Sequence, residues 1–120
     1  MTVREHEVHV LIQVCNLAEP SRCSSGQAFV DTGATLTTVP KRVAEELGLA
    51  VLERRTSVTA AGPREVDIVA LWTVVEGERL PSAAIIGERD EYLLGLADLE
   101  MRGLAVDPMT GRLIPSPLRS

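Results

Sequence analysis

The stretch AFVDTGAT, residues 28–35, decides the fold because it places one carboxylate at the end of an apolar strand, directly before a glycine turn. A strand as apolar as residues 28–30 is expected to be buried, and an ionised carboxylate there is costly unless it is paired or hydrogen-bonded. Burial and like-charge neighbours are also how proteins tune carboxyl groups for chemistry. A plain Asp-x-Gly turn is the alternative interpretation, since any β protein can contain one.

The composition predicts one domain and argues against nucleic-acid binding. A chain of 120 residues with 45% hydrophobic residues can bury one core, and an aromatic share of 2% leaves Val, Leu, Ile and Ala to build it. The formal charge of -5, without a long run of either sign, does not supply the basic patch that nucleic acid requires. We expect a domain over residues 1–115 and a flexible C-terminal tail over residues 116–120.

The ends of the chain and its cysteines and histidines predict a cytoplasmic protein without a membrane partner, metal or cofactor. Charged residues at positions 1–7 leave no apolar segment for a signal peptide, and no apolar run approaches the ~20 residues of a membrane helix. Cys15 and Cys23 lack a Cys-x-x-Cys motif, so free thiols are expected rather than a disulfide. His6 and His9 have no acidic or cysteine cluster beside them and are expected to be surface residues.

Hydrophobic periodicity and turn residues predict about eight short strands and two short helices. The expected strands are residues 8–14, 27–30, 36–39, 51–59, 65–75, 80–86, 104–108 and 112–115. Pro40 and Gly48 bracket the first helix, and Gly103 ends a second one over residues 96–102. Residues 16–26 are expected to form a loop. The pattern indicates a mainly antiparallel all-β domain, closed or sandwich-like.

Three segments occur in an order that is more informative than any one of them. DTGAT at residues 31–35 is followed by TAAG at 59–62, between two strands, and by LLG at 93–95, before a helix. In this order and separation they resemble the retropepsin-like aspartic proteases, the family of the retroviral proteases and their cellular relatives. The resemblance reaches from the first hairpin to about Pro108. It implies a closed acid-protease barrel with one or two short helices and one lobe per chain.

The resemblance also implies a role for each segment. Asp31 matches the catalytic aspartate, and Thr32 and Gly33 complete its turn. In the family the threonine hydroxyl bonds across to the partner's loop, and glycine permits close approach of the backbone. The residues that match the flap over the substrate are Thr59, Ala60, Ala61 and Gly62. The residues that match the strand supporting the catalytic loop from behind are Leu93, Leu94 and Gly95.

A homodimer follows from the resemblance, because aspartic protease chemistry needs two carboxylates that share one proton. The other aspartates lack the Thr-Gly or Ser-Gly that would follow a catalytic one, namely Asp67, Asp90, Asp98 and Asp107. The second carboxylate must therefore come from a second chain, with the two-fold axis between the Asp31 side chains. A peptide or protein substrate would lie extended under the flaps. The C-terminal hairpin, residues 104–115, either joins the dimer interface or is an ordinary edge that caps the sheet.

The sequence thus favours an aspartic endopeptidase that acts as a dimer. A non-catalytic peptide-binding or dimerisation module on the same scaffold is the alternative, because a fold does not fix an activity. The intact Asp31-Thr32-Gly33 favours the enzyme, since a structural module has no need of it. A third interpretation, an unrelated β domain with a chance turn, predicts that Asp31 is exposed to solvent.

Overall fold

A computed structural model describes residues 8–117, which form nine strands and two short helices. The elements in chain order are β1 (His9–Cys15), β2 (Cys23–Asp31), β3 (Thr37–Pro40), α1 (Lys41–Glu46), β4 (Val51–Thr59), β5 (Gly62–Val75), β6 (Glu78–Gly87), β7 (Tyr92–Gly95), α2 (Leu96–Met101), β8 (Leu104–Val106) and β9 (Leu113–Pro115). The predicted all-β class with two short helices is therefore confirmed.

Seven strands form one sheet that closes on itself. Their order is β1-β2-β7-β3-β6-β5-β4, and β1 also pairs with β5. The C-terminal half of β5 pairs with β1 inside this barrel, whereas its N-terminal half pairs with β4 in a hairpin that projects from the barrel. Most pairings are antiparallel, as predicted, but β2 runs parallel to β7 and β3 runs parallel to β6. Strands β8 and β9 form a separate two-stranded sheet.

Aliphatic side chains fill the barrel, as the shortage of aromatic residues requires. Alternate residues of β5 point inward, so that Val69, Leu71 and Val75 are buried in the core. Leu94 of β7 and Leu99 of α2 complete the core below the site. Other core members come from β1, β2, β3 and α1, among them Ile12, Val14, Val30, Val39, Val43 and Leu47.

Local signals set the helix and hairpin ends close to their predicted places. Pro40 caps α1 at its N-terminus in an extended conformation, and Gly48 follows the helix with a φ of 62°. Glu76 and Gly77, with φ values of 50° and 79°, form the two-residue turn between β5 and β6. A two-residue turn with positive φ values matches the twist of the flanking strands, and glycine adopts this conformation without strain.

The expectation of free thiols is wrong. Cys15 and Cys23 form a disulfide, with their Cα atoms 4.1 Å apart. They lie directly opposite each other in the β1–β2 register, because β2 begins at Cys23 and not at Gln27 as predicted. His9 is exposed, as expected, and its ring packs against Phe29, while His6 lies outside the described residues. The cytoplasmic location stays a prediction.

Replacing Cys15 and Cys23 together by alanine is expected to lower the free energy of unfolding by about 2–3 kcal/mol. The bond joins residues eight apart in sequence, and the loop entropy that it removes from the unfolded chain has that magnitude. Urea unfolding measures the difference. A reducing agent should lower the midpoint of the native protein and leave the alanine variant unchanged, and equal midpoints for native and variant protein would contradict this contribution.

Candidate active site

Asp31 ends strand β2 and lies at the start of a tight turn. Asp31 is buried, with 6% of its surface exposed to solvent. The Gly33 N–H donates to the Asp31 carboxylate oxygen Oδ1 at 3.0 Å, and the Ala34 N–H donates to the Asp31 carbonyl oxygen at 3.1 Å. The turn therefore fixes one carboxylate oxygen and leaves the other for chemistry or a partner. An exposed Asp31, which the chance-turn interpretation requires, does not occur.

Thr32 and Gly33 complete the turn on the outer side of the barrel. Gly33 is exposed, and Thr32 is half-buried. Thr32 lines a cavity of about 600 Å³ between the turn, α2 and the β8–β9 hairpin, together with Leu96 and Leu104. The resemblance assigns the Thr32 hydroxyl a bond to the partner's loop, and this role stays a prediction.

Strand β7 supports the turn from behind through its backbone. Gly95 lies opposite Asp31 in the parallel register of β2 and β7. After Gly95 the chain enters α2, whose first two N–H groups hold the loop: Leu96 donates to the Ala34 carbonyl at 2.8 Å, and Ala97 donates to the Thr35 carbonyl at 2.9 Å. Leu94 is fully buried in the core, while Leu93 is half-buried and lines the cleft above.

The β4–β5 hairpin, which we call the flap, ends in a two-residue turn. Thr59 pairs with Gly62, and Ala60 and Ala61 form the turn between them. The Thr59 hydroxyl donates to the Gly62 carbonyl at 2.8 Å and accepts the Ala61 N–H at 3.2 Å. Gly62 has a φ of 110°, a value that strains any other residue. The two hydrogen bonds of the Thr59 hydroxyl therefore stabilise the turn at the tip of the flap.

A cleft of about 1720 Å³ lies between the flap and the Asp31 turn. Its lining includes Asp31, Gly33 and flap residues from both strands. Its apolar lining includes Leu36, Ile68, Ile85, Ile86 and Leu93. Charged side chains of the flap also line the cleft, and they are held in ion pairs, one within the flap and one with the residue that follows β6. Arg54 donates to Asp67 at 3.0 Å, which raises the pKa of Arg54, and Arg64 pairs with Glu88.

A buried polar cluster behind the site was not anticipated from the sequence. Asp98, in the first turn of α2, accepts hydrogen bonds from Thr37, Thr73 and Ser82. The Arg102 side chain is 1% exposed and lies 3.7 Å from the Asp98 carboxylate. Burial lowers the pKa of Arg102, and the charges of Asp98 and Glu78 oppose that effect. The four-residue spacing of Asp98 and Arg102 on a predicted helix was the available signal.

The part of the chain that the structure describes contains neither a metal-binding cluster nor a membrane-spanning helix. Between residues 8 and 117 no three His, Cys, Asp or Glu side chains are grouped closely enough to hold a metal ion. Neither α1 nor α2 has the length and apolar character that a membrane-spanning helix needs.

A closed barrel with an Asp-Thr-Gly turn under a β-hairpin is the architecture of the retroviral class of aspartic proteases. The solution structure of the simian foamy virus (mac) protease shares this fold at 21% sequence identity and a TM-score of 0.57, over 76% of this chain and 90% of that one. The sequence pattern of the family described as "gag-polyprotein putative aspartyl protease" matches residues 24–100. The chain belongs to this family. No curated protein matches it in sequence.

Replacing Gly95 by alanine is expected to lower the free energy of unfolding by about 1–3 kcal/mol, the range of overpacked sites. A Cβ atom there would lie 2.4 Å from the carbonyl carbon of Leu36, which is backbone and cannot rotate away. Gly87→Ala is the matched comparison, because its Cβ would meet the Thr38 methyl group, a side-chain atom, and no backbone atom closer than 3.8 Å. Urea unfolding should show the larger loss for Gly95→Ala, and equal losses would contradict the close approach.

Proposed function

We propose that the protein is a homodimeric aspartic endopeptidase in which each subunit contributes Asp31. The observation that carries the proposal is the placement of Asp31. It is buried at the end of β2, held by the Gly33 N–H, and opens into a cleft covered by a β-hairpin. A carboxylate that served only the turn would not need to face a large cleft. Membership of an aspartyl protease family supports the same activity.

The chemistry requires the second carboxylate of the partner subunit. Two carboxylates about 3 Å apart cannot both ionise, so they share one proton. The ionised one takes a proton from the attacking water, and the protonated one donates a hydrogen bond to the carbonyl of the scissile bond. In each subunit the Gly33 N–H holds Oδ1 of Asp31, which leaves the second oxygen for the water and the partner.

Several surfaces around the turn suit a partner subunit. Thr32 and the cavity beside it lie next to Asp31, where a two-fold axis would pass. The β8–β9 hairpin does not extend the seven-stranded sheet but packs beside α2, with Leu104, Val106 and Leu113 against the core. Ile114 is 39% exposed on the same hairpin. We therefore place this hairpin in the dimer interface.

The substrate of the proposed enzyme is a peptide segment in extended form. The cleft is bounded by strand β4, which is paired with β5 on one side only and exposed along its length. Backbone groups can hold an added strand there, while the apolar wall of the cleft receives alternate side chains. Arg64 of the flap and Glu88, which follows β6, form an ion pair that lines the same cleft.

Asp31→Asn is expected to reduce the cleavage rate of an unstructured protein substrate by about 10²–10⁴-fold, the range for loss of a catalytic acid or base. The change removes the charge at nearly constant volume, so folding and dimerisation should persist. Asp67→Asn is the matched control, because Asp67 lines the same cleft from the flap; it should change the rate by no more than about twofold, far less than the loss expected for a catalytic acid or base. Cleavage that survives Asp31→Asn would overturn the mechanism.

A transition-state mimic of aspartic proteases separates the enzyme from a non-catalytic module. A ligand that binds only the folded dimer raises the melting temperature, with about 2.7 kcal/mol of stabilisation at a hundredfold excess over its dissociation constant. We expect such a shift for the native protein and a much smaller one for Asp31→Asn. No shift at high excess would favour the peptide-binding or dimerisation module.

Ile114→Asp is expected to weaken the dimer by at least about tenfold in dissociation constant, because a charge would be buried between subunits. Sedimentation equilibrium at several concentrations measures this change. Leu11→Asp on β1, where Leu11 is 68% exposed, is the control for a charge on an apolar surface position and should leave the mass unchanged. An unaltered dimer in Ile114→Asp would remove the hairpin from the interface.

A further inference from the structure

The Asp98 cluster, formed by Asp98, Thr37, Thr73, Ser82 and Arg102, lies directly behind the catalytic turn. Asp98 is 3% exposed. Its oxygen Oδ2 accepts the Thr37 hydroxyl at 2.5 Å, and its oxygen Oδ1 accepts the hydroxyls of Thr73 at 3.0 Å and Ser82 at 2.9 Å. Three strands, β3, β5 and β6, are thus tied to one carboxylate on α2.

Arg102 compensates the buried charge of Asp98. Its guanidinium donates to the Thr73 carbonyl at 2.9 Å and to the Thr73 hydroxyl at 2.6 Å, and it reaches the Glu78 carbonyl at 2.7 Å. The charged groups that face Asp98 are therefore Arg102 itself and, beyond it, Glu78, whose carboxylate lies 3.9 Å from Arg102. In the described residues, the hydrogen bonds recorded to the Asp98 carboxylate all come from neutral hydroxyls.

Thr37 connects this cluster to the catalytic turn. Its hydroxyl donates to Asp98 and at the same time accepts the Gly95 N–H at 3.1 Å. Gly95 is the register partner of Asp31, and its backbone lies against Leu36 so closely that a Cβ atom would not fit. The order of contacts is Asp98, Thr37, Gly95 and then the end of the strand that carries Asp31.

We propose that Asp98, acting through Thr37, is a positioning residue that fixes the position and orientation of the Asp31 turn relative to β7. The inference rests on the proposed peptidase function. A buried ion pair is weak evidence for stability, because apolar side chains of the same volume often stabilise as well or better. Unlike apolar contacts, hydrogen bonds are directional, so they can fix the orientation of the groups that they join. The β-branched Thr37 has few rotamers, so a hydroxyl held by Asp98 presents one lone pair to the Gly95 N–H.

Catalysis is sensitive to such placement. A displacement of about 1 Å at a reacting group can reduce a rate about a hundredfold. The two Asp31 carboxylates must meet across a two-fold axis, so any shift of the turn in one subunit is repeated in the other. A positioning defect should therefore appear in kcat and leave substrate binding by the flap and the apolar wall unchanged.

The test compares two Thr→Val substitutions on the same carboxylate. Thr37→Val removes the hydroxyl that links Asp98 to Gly95, whereas Thr73→Val removes a hydroxyl on the other oxygen of Asp98. We expect Thr37→Val to lower kcat about 10–100-fold per folded dimer, with KM within about twofold. Thr73→Val should lower stability and leave kcat nearly unchanged. Thr37→Ser, which keeps the hydroxyl, should restore most of the rate.

Hydrogen exchange of the Gly33 amide gives a readout that does not need activity. That amide is bonded to the Asp31 carboxylate, so a turn released from its support should exchange faster. We expect this acceleration in Thr37→Val and not in Thr73→Val, each compared with core amides of the same variant. If Thr37→Val does not fold, Thr37→Cys keeps a weak donor and acceptor and should show a milder loss of the same kind.

The outcomes separate the two proposals. Equal effects of Thr37→Val and Thr73→Val on kcat and on Gly33 exchange would overturn the positioning role and leave the peptidase intact. A native protein that cleaves nothing would overturn the proposed function, and the Gly33 exchange rates would then decide whether Asp98 positions the turn. Both proposals are supported if Thr37→Val, and not Thr73→Val, lowers kcat and accelerates exchange of the Gly33 amide.

Discussion

The parallel pairing of β2 with β7 is the constraint on which the rest of the site depends. It sets Asp31 opposite Gly95, and it brings the start of α2 beneath the turn that follows Asp31. Because α2 begins immediately after β7, its first free N–H groups are available to the loop carbonyls of Ala34 and Thr35. The start of the helix and the turn therefore satisfy each other's backbone hydrogen-bonding groups.

A glycine at position 95 is what allows this arrangement. The backbone of Gly95 lies so close to Leu36 and Thr37 that the loop can return across β7 only where there is no side chain. The close approach in turn brings the Thr37 hydroxyl within reach of the Gly95 N–H and of Asp98. One missing Cβ atom thus links the backbone of the turn to the buried polar cluster.

The sequence predicted those features that depend on local pattern. The buried Asp31, the hairpin turn at Gly77 and the flap strands follow from alternation, apolar runs and turn residues, and the structure has them close to the predicted positions. Register and long-range pairing could not be predicted in this way. The disulfide was missed because it depends on where β2 begins, and the Asp98 cluster was missed because its members lie on four separate elements.

The two parts of the site, the Asp31 turn and the flap, differ in how firmly the rest of the molecule holds them. The Asp31 turn is bonded to α2 and, through Thr37, to the rest of the barrel, whereas β4 pairs only with β5 and is exposed along its length. Segments with few buried contacts have the lowest local stability, so movement in this molecule should concentrate in the flap. The Thr59 bonds at its tip oppose fraying. We therefore expect the hairpin to move as a unit over an Asp31 turn that stays fixed.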